Sequence, residues 1–170
     1  MRRMRFFGFL KTAVTTIMVM AVSIPFAKAQ IVQNGTEEYP FLIESKQELL
    51  DFQTCINTNS NFYFNGNTFV RTNCGSGCTL IVAGGKLPGN QPAYFKLMVD
   101  VEVNSGNVAA CEGVKASSWS NWTPLATFGG VFDGNYHIIS GIYCKQTAEK
   151  VGFFKELSAG VVKNLGIANS

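Results

Sequence analysis

The stretch FGGVFDGNYHIISGIYC, residues 128–144, is followed shortly by VGFFKELSAGVVKNLGIANS, residues 151–170. Each piece sets a glycine-bearing turn before a short apolar strand that ends in isoleucine. Ile139-Ser140-Gly141-Ile142 laid on Val162-Lys163-Asn164-Leu165 gives an offset of 23 residues. A repeat of about 20–25 residues built from short strands and Gly/Asn corners marks a solenoid, where each coil buries its apolar side only by stacking on the next. Asn and Gly suit such corners because they tolerate left-handed backbone angles that branched side chains resist.

Upstream, Phe95, Leu97, Val99, Val101 and Val103 alternate with Lys96, Met98, Asp100 and Glu102. Strict period two predicts one strand over 94–103 with a buried and a wet face. Further back, Ser45 and Glu48 have capping-box spacing, and Leu49, Phe52 and Ile56 follow at helical steps. That predicts a helix over 46–56 with one buried stripe, placed to cap the first coil. Residues 57–93, rich in Asn, Gly, Ser and Thr, read as an irregular, cysteine-containing insertion with a few short strands.

The amino terminus reads differently. Residues 1–11 carry four cations, an apolar run of about 15 residues follows, and Ala27-Lys28-Ala29 precedes Gln30. A basic segment, a short apolar core and an A-x-A site predict a secretory signal over 1–29, too short to span a bilayer. The whole chain has a formal charge of +3, but all of its 11 acids and only nine of its 14 cations lie after residue 29. The exported part, 30–170, is therefore predicted at −2, which argues against nucleic acid as a partner. Export permits disulfides among Cys55, Cys74, Cys78, Cys111 and Cys144. The ends of the flexible Cys74–Cys78 loop lie close enough in sequence to join. Pairing among the rest stays open, and the odd count leaves a thiol over. No metal or cofactor signature is present, since one histidine and scattered cysteines lack ligand spacing.

From Trp122 onward the pattern becomes specific. Trp122-x-Pro124-Leu125 leads to Phe132-Asp133-Gly134-Asn135-x-His137-x-Ile139-Ser140-Gly141-Ile142, then Gly152-Phe153-Phe154, then Val162-Lys163-Asn164-Leu165-Gly166-Ile167. This resembles the GLUG-motif repeat proteins, bacterial secreted or surface proteins whose repeats look like turns of a right-handed parallel β-helix. The helix at 46–56 and the strand at 95–101 are similar to that family's usual lead-in. Two departures stand out. Tyr136 replaces a glycine after the Phe-Asp-Gly-Asn run, and Lys155 replaces the last glycine of the naming motif. The resemblance implies a mainly β chain, with a capping helix at 46–56 and coils over 94–170. Phe132, Ile139, Ile142, Phe153, Val162, Leu165 and Ile167 would face inward. Gly130, Asp133, Gly134 and Asn135 would turn the corner, with Asp133 bonding its own backbone two residues on, Asn164 would sit where solenoids stack asparagines, and Gly166 belongs to the motif.

Three constellations carry chemistry. Asp100 and Glu102, two residues apart on one strand face and joined by Asp133 as a third candidate, have the separation of a glycosidase carboxylate pair. The same alternation is also the ordinary wet face of a sheet. His137 with Asp133 and any of several serines would make a nucleophilic triad, although both residues occupy turn and strand-entry positions. Trp119 and Trp122, with Tyr136 and Tyr143, would make a shelf for sugars, unless Trp122 packs over a coil end. The balance favours a non-enzymatic, exported scaffold at the cell surface, adhesin-like, with a glycan or a host surface protein as its partner. A carbohydrate-active β-helix enzyme and a passive glycan-binding module are the alternatives. The chain also reads as the front part of a longer protein, because its last strand ends without a covering element.

Overall fold

The computed structural model describes residues 33–105, 119–144 and 150–168; the signal read at 1–29 and Cys111 lie outside them. The described residues belong to one compact unit, Ile31–Ser170. The chain is mainly strand, with a single α-helix among the described residues.

Strand β1 (Phe41–Ile43) buries Phe41 and Ile43 and leaves Leu42 half-covered. Helix α1 (Lys46–Asn57) starts where the cap predicts. Ser45 Oγ accepts from the Glu48 amide at 3.2 Å, while the Glu48 carboxylate accepts from the Glu44 amide at 2.6 Å, one residue before the expected partner. Its stripe of Leu49, Phe52, Cys55 and Ile56 is fully buried. The other side of the helix meets a strand edge, where Gln53 donates to the Thr123 carbonyl and the Ala126 amide donates to Asn57 Oδ1. Residues 57–93 are more regular than their composition predicts. β2 (Phe62–Phe64) pairs antiparallel with β3 (Phe69–Val70) and β4 (Thr79–Ile81), and β5 (Lys86–Leu87) pairs with β6 (Gln91–Pro92). Aromatic alternation at Phe62 and Phe64 drives this sheet, and its inner face joins the main core. Cys74 and Cys78 are bonded across the intervening turn.

All pairing downstream is parallel. The strands are β7 (Tyr94–Leu97), β8 (Val101–Glu102), β9 (Leu125–Phe128), β10 (Val131–Asp133), β11 (Ile138–Ser140), β12 (Phe154–Leu157), β13 (Val161–Lys163) and β14 (Gly166–Ala168). They distribute into three sheets ordered β1-β7-β10-β13, β8-β11-β14 and β9-β12. The chain thus visits the sheets in rotation, and every third strand lands beside its predecessor.

Register corrects two sequence readings. Phe95, Phe132 and Val162 align, as do Val101, Ile139 and Ile167, and Leu125 aligns with Phe154. The step in the last layer is therefore 28–30 residues, not 23. Ile139 faces Ile167, whereas the sequence alignment set it against Val162. The shorter offset superposed two different strands of the same turn-and-strand grammar. The single strand expected over 94–103 is also two. The chain turns at Met98-Val99-Asp100 from the first sheet into the second, and Val99 is exposed there. Alternation survives on both sides of the corner, so period two alone did not reveal it.

The core is an aromatic column. Phe52 from α1 sits 4.7 Å from Phe95 and 5.9 Å from Phe132 between ring centroids, and Phe41, Phe69 and Phe128 touch the same cluster. Each such ring contributes about 1.5–3 kcal/mol by burial, and each well-placed pair roughly 0.5–1.5 kcal/mol more. Phe132, Ile139, Ile142 and Phe153 are buried as expected. Val162 and Leu165 are only half-buried, and Ile167 is 45% exposed. Ile167 corrects the inward reading: it continues the column of Ile139, but no described residue covers that side of β14.

Candidate functional site

The corner between β10 and β11 is built from the predicted motif. Asp133 ends β10, and its Oδ1 accepts from the Asn135 amide at 2.9 Å and from Asn164 Nδ2 at 3.1 Å. Lys163 lies 3.5 Å from its Oδ2. Partial burial alone raises the Asp133 pKa, but these donors outweigh it and hold the carboxyl below its usual range. Asn135, Tyr136 and Asn164 all adopt positive φ. Gly134 is required for closeness, because a Cβ there would meet Asn164 O and Leu165 Cα at 2.5 Å. The Gly134 amide donates to the Lys163 carbonyl and the Tyr136 amide to the Asn164 carbonyl, both at 2.8 Å. Asp133 is therefore a clamp between adjacent layers, with its lone pairs engaged by protein donors.

Asp100 makes a second corner. Its Oδ1 accepts from the Ile138 amide at 2.9 Å and lies 3.0 Å from His137 Nδ1. The backbone donor first, and His137 second, keep this exposed carboxyl below its usual range. The histidine partner is thus Asp100 and not Asp133. Glu102 points outward from β8, in register with Ser140. Asp100 lies at the bend before β8 rather than on the strand with Glu102. Asp133 ends a strand of a different sheet.

The aromatic shelf does not assemble as four rings. Trp122 is 1% exposed, stacks on Phe153 at 4.9 Å and 12°, and donates its Nε1–H to the Phe153 carbonyl. It offers no face to a sugar and serves as packing. Trp119 meets Tyr143 edge-on at 6.1 Å, and both are half-buried. Tyr136 stands out at 83% exposure on the Asp133 corner. Gly152 carries positive φ before Phe153, and Gly166 lies over His137 and Ile138.

Composition gave no warning of Asn104, the one buried polar side chain among the described core residues. Its amide donates to the Ser120 and Gly141 carbonyls and its oxygen accepts from the Ser120 amide. It ties residue 104 to Ser120 and to Gly141 of the next layer. Gly141, with φ +70°, leaves room for the Asn104 backbone, whose carbonyl oxygen and amide nitrogen a Cβ there would strike. Among the described residues the free thiols are Cys55 and Cys144. Burial pushes Cys55 up to about 11, and burial also raises Cys144. Among the described residues no cluster of three His, Cys, Asp or Glu side chains could hold a metal, and no helix is long and apolar enough to cross a membrane.

A concave feature lies on the outer face of the first parallel sheet. A hollow of about 160 Å³ is walled by Glu37, Glu38 and Pro40 and floored by Tyr94, Lys96 and Asp133, with Lys163 at one side. The wall is held in place because the Tyr94 amide donates to the Gly35 carbonyl and the Gly35 amide to the Tyr39 carbonyl. Lys96, Asp133 and Lys163 stand in one row across three adjacent strands. Sequence reading missed this site because its two halves are more than fifty residues apart. Comparison with protein families, curated proteins and solved structures finds no match for this chain.

Proposed function

We propose that this chain is an exported, non-enzymatic scaffold, a right-handed parallel β-solenoid segment of the GLUG-motif kind, serving at the cell surface in an adhesin-like role. The observation that carries the reading is the rotation of consecutive strands through three parallel sheets, the path a solenoid takes. The corner chemistry supports it too. Asp133, Gly134 and Asn164 spend polar groups on joining layers, and Asn135 closes the corner onto Asp133, as repeat-motif residues should. Export rests on the basic-apolar-Ala27-Lys28-Ala29 leader.

Expression with an outer-surface protease assay and amino-terminal sequencing tests this reading. The expected result is a mature chain starting at Gln30 and cleaved by added protease on intact cells. A chain that keeps residues 1–29 and stays inside the cell contradicts it. The carbohydrate-active alternative draws on the exposed Asp100–His137 pair. Cleavage of any member of a polysaccharide panel that disappears in the Asp100→Ala, Glu102→Ala, Asp133→Ala triple variant, with the fold retained, would favour the enzyme. Glycan pull-down lost in Trp119→Ala would favour a glycan-binding module.

A further inference from the structure

We propose that the hollow between the 37–40 wall and the first parallel sheet binds a free α-amino acid, with its carboxylate on Lys96 and its ammonium between Glu37 and Glu38. The argument begins with which charges are already spent. Asp133 takes Asn135 and Asn164 on Oδ1 and has Lys163 3.5 Å from Oδ2, so these two opposite charges largely offset each other beside the hollow. Lys96 is different. It is half-buried on β7, Glu37 and Glu38 are exposed, and none of these three side chains has a hydrogen-bond or ion-pair partner among the described residues. The site therefore presents one unpartnered cation and two unpartnered carboxylates around one small space.

That charge pattern selects the ligand. A simple anion gains Lys96 but faces two glutamates, and a simple cation gains the glutamates but faces Lys96. A neutral sugar meets every charge with hydroxyls alone, which form weaker bonds than ion-to-ion pairs. A small zwitterion satisfies both signs together. Size agrees. About 160 Å³ holds roughly five waters' share of liquid and falls below the 300 Å³ or more of drug-sized pockets. Tyr94 adds a ring for the ligand's apolar part or its ammonium, and Pro40 adds a rigid apolar wall. The site does not depend on where the chain resides, so it stands or falls apart from the scaffold reading.

Calorimetric or NMR titration of the purified full chain with L-leucine, N-acetyl-L-leucine and L-leucinamide tests it. L-leucine should bind, and each capped analogue, which has lost one charge, should bind at least tenfold more weakly. Lys96→Met should weaken L-leucine at least tenfold while Lys96→Arg retains it, and Glu37→Gln with Glu38→Gln should also weaken it. Thermal midpoints equal to that of the parent chain show that these outward-facing variants remain folded. Absence of leucine binding at 10 mM (roughly −2.7 kcal/mol at best), equal binding of the capped analogues, or undiminished binding by folded Lys96→Met overturns the proposal.

Discussion

Phe132 and Val162 occupy the same column of one parallel sheet on neighbouring strands, and Ile139 and Ile167 do the same in the second sheet. Phe128 and Leu157 repeat the relation in the third. The inner member of each pair is buried, yet Ile167 and Leu157 are 45% and 46% exposed and Val162 is half-covered. Side-chain direction is the same in both layers, because the period-two pleat sets it locally. Coverage differs, because it depends on what stacks above. In a stack of this kind the repeat pattern decides orientation, and the neighbouring layer supplies the stabilisation.

The largest expected effect exploits that difference. Phe132→Ala should cost about 3–5 kcal/mol in urea unfolding, whereas Ile167→Ala should cost under about 1 kcal/mol despite its matching pattern. Equal losses would mean that the outer layer is covered in solution. Gly134→Ala comes next. Its Cβ would press on backbone of the following layer, so a loss of roughly 1–3 kcal/mol is expected. Gly77→Ala, with open space around it, should change stability by no more than about 0.5 kcal/mol.

Smaller effects probe the corners. The folded Asp133 carboxyl lies below its usual pKa, so its stabilisation is present above about pH 4 and fades as pH falls through the folded value. Urea midpoints should therefore decline as the pH drops from about 5 toward 2, and Asp133→Asn should shrink that decline. The opposite sign applies at Tyr136, whose φ of +65° strains a non-glycine backbone. Tyr136→Gly should raise stability by about 1 kcal/mol, measured in the same way.

Much of the fold was legible in short-range chemistry. Ser45 and Glu48 announced the start of α1, and the Asp133-Gly134-Asn135 run announced a corner with a left-handed residue, which the structure places at Asn135 and Tyr136. Register was not legible. Ile139 matched Val162 as well as Ile167 on local grammar, and only cross-layer hydrogen bonding separates them. Burial of Trp122 was open because a tryptophan packs or stacks ligands with the same ring. The partnership of His137 with Asp100, 37 residues away, and the hollow shared by Glu37 and Lys96 depend on tertiary contacts that no local pattern encodes.

The most direct test of the parallel arrangement is the pattern of inter-strand NOEs in an isotope-labelled sample of the chain. Backbone NOEs from Val131, Phe132 and Asp133 to Tyr94, Phe95 and Lys96 on one side, and to Val161, Val162 and Lys163 on the other, are expected in parallel register. Antiparallel NOEs joining 131–133 to 138–140, as in a hairpin, would contradict the layered stack and the scaffold built on it.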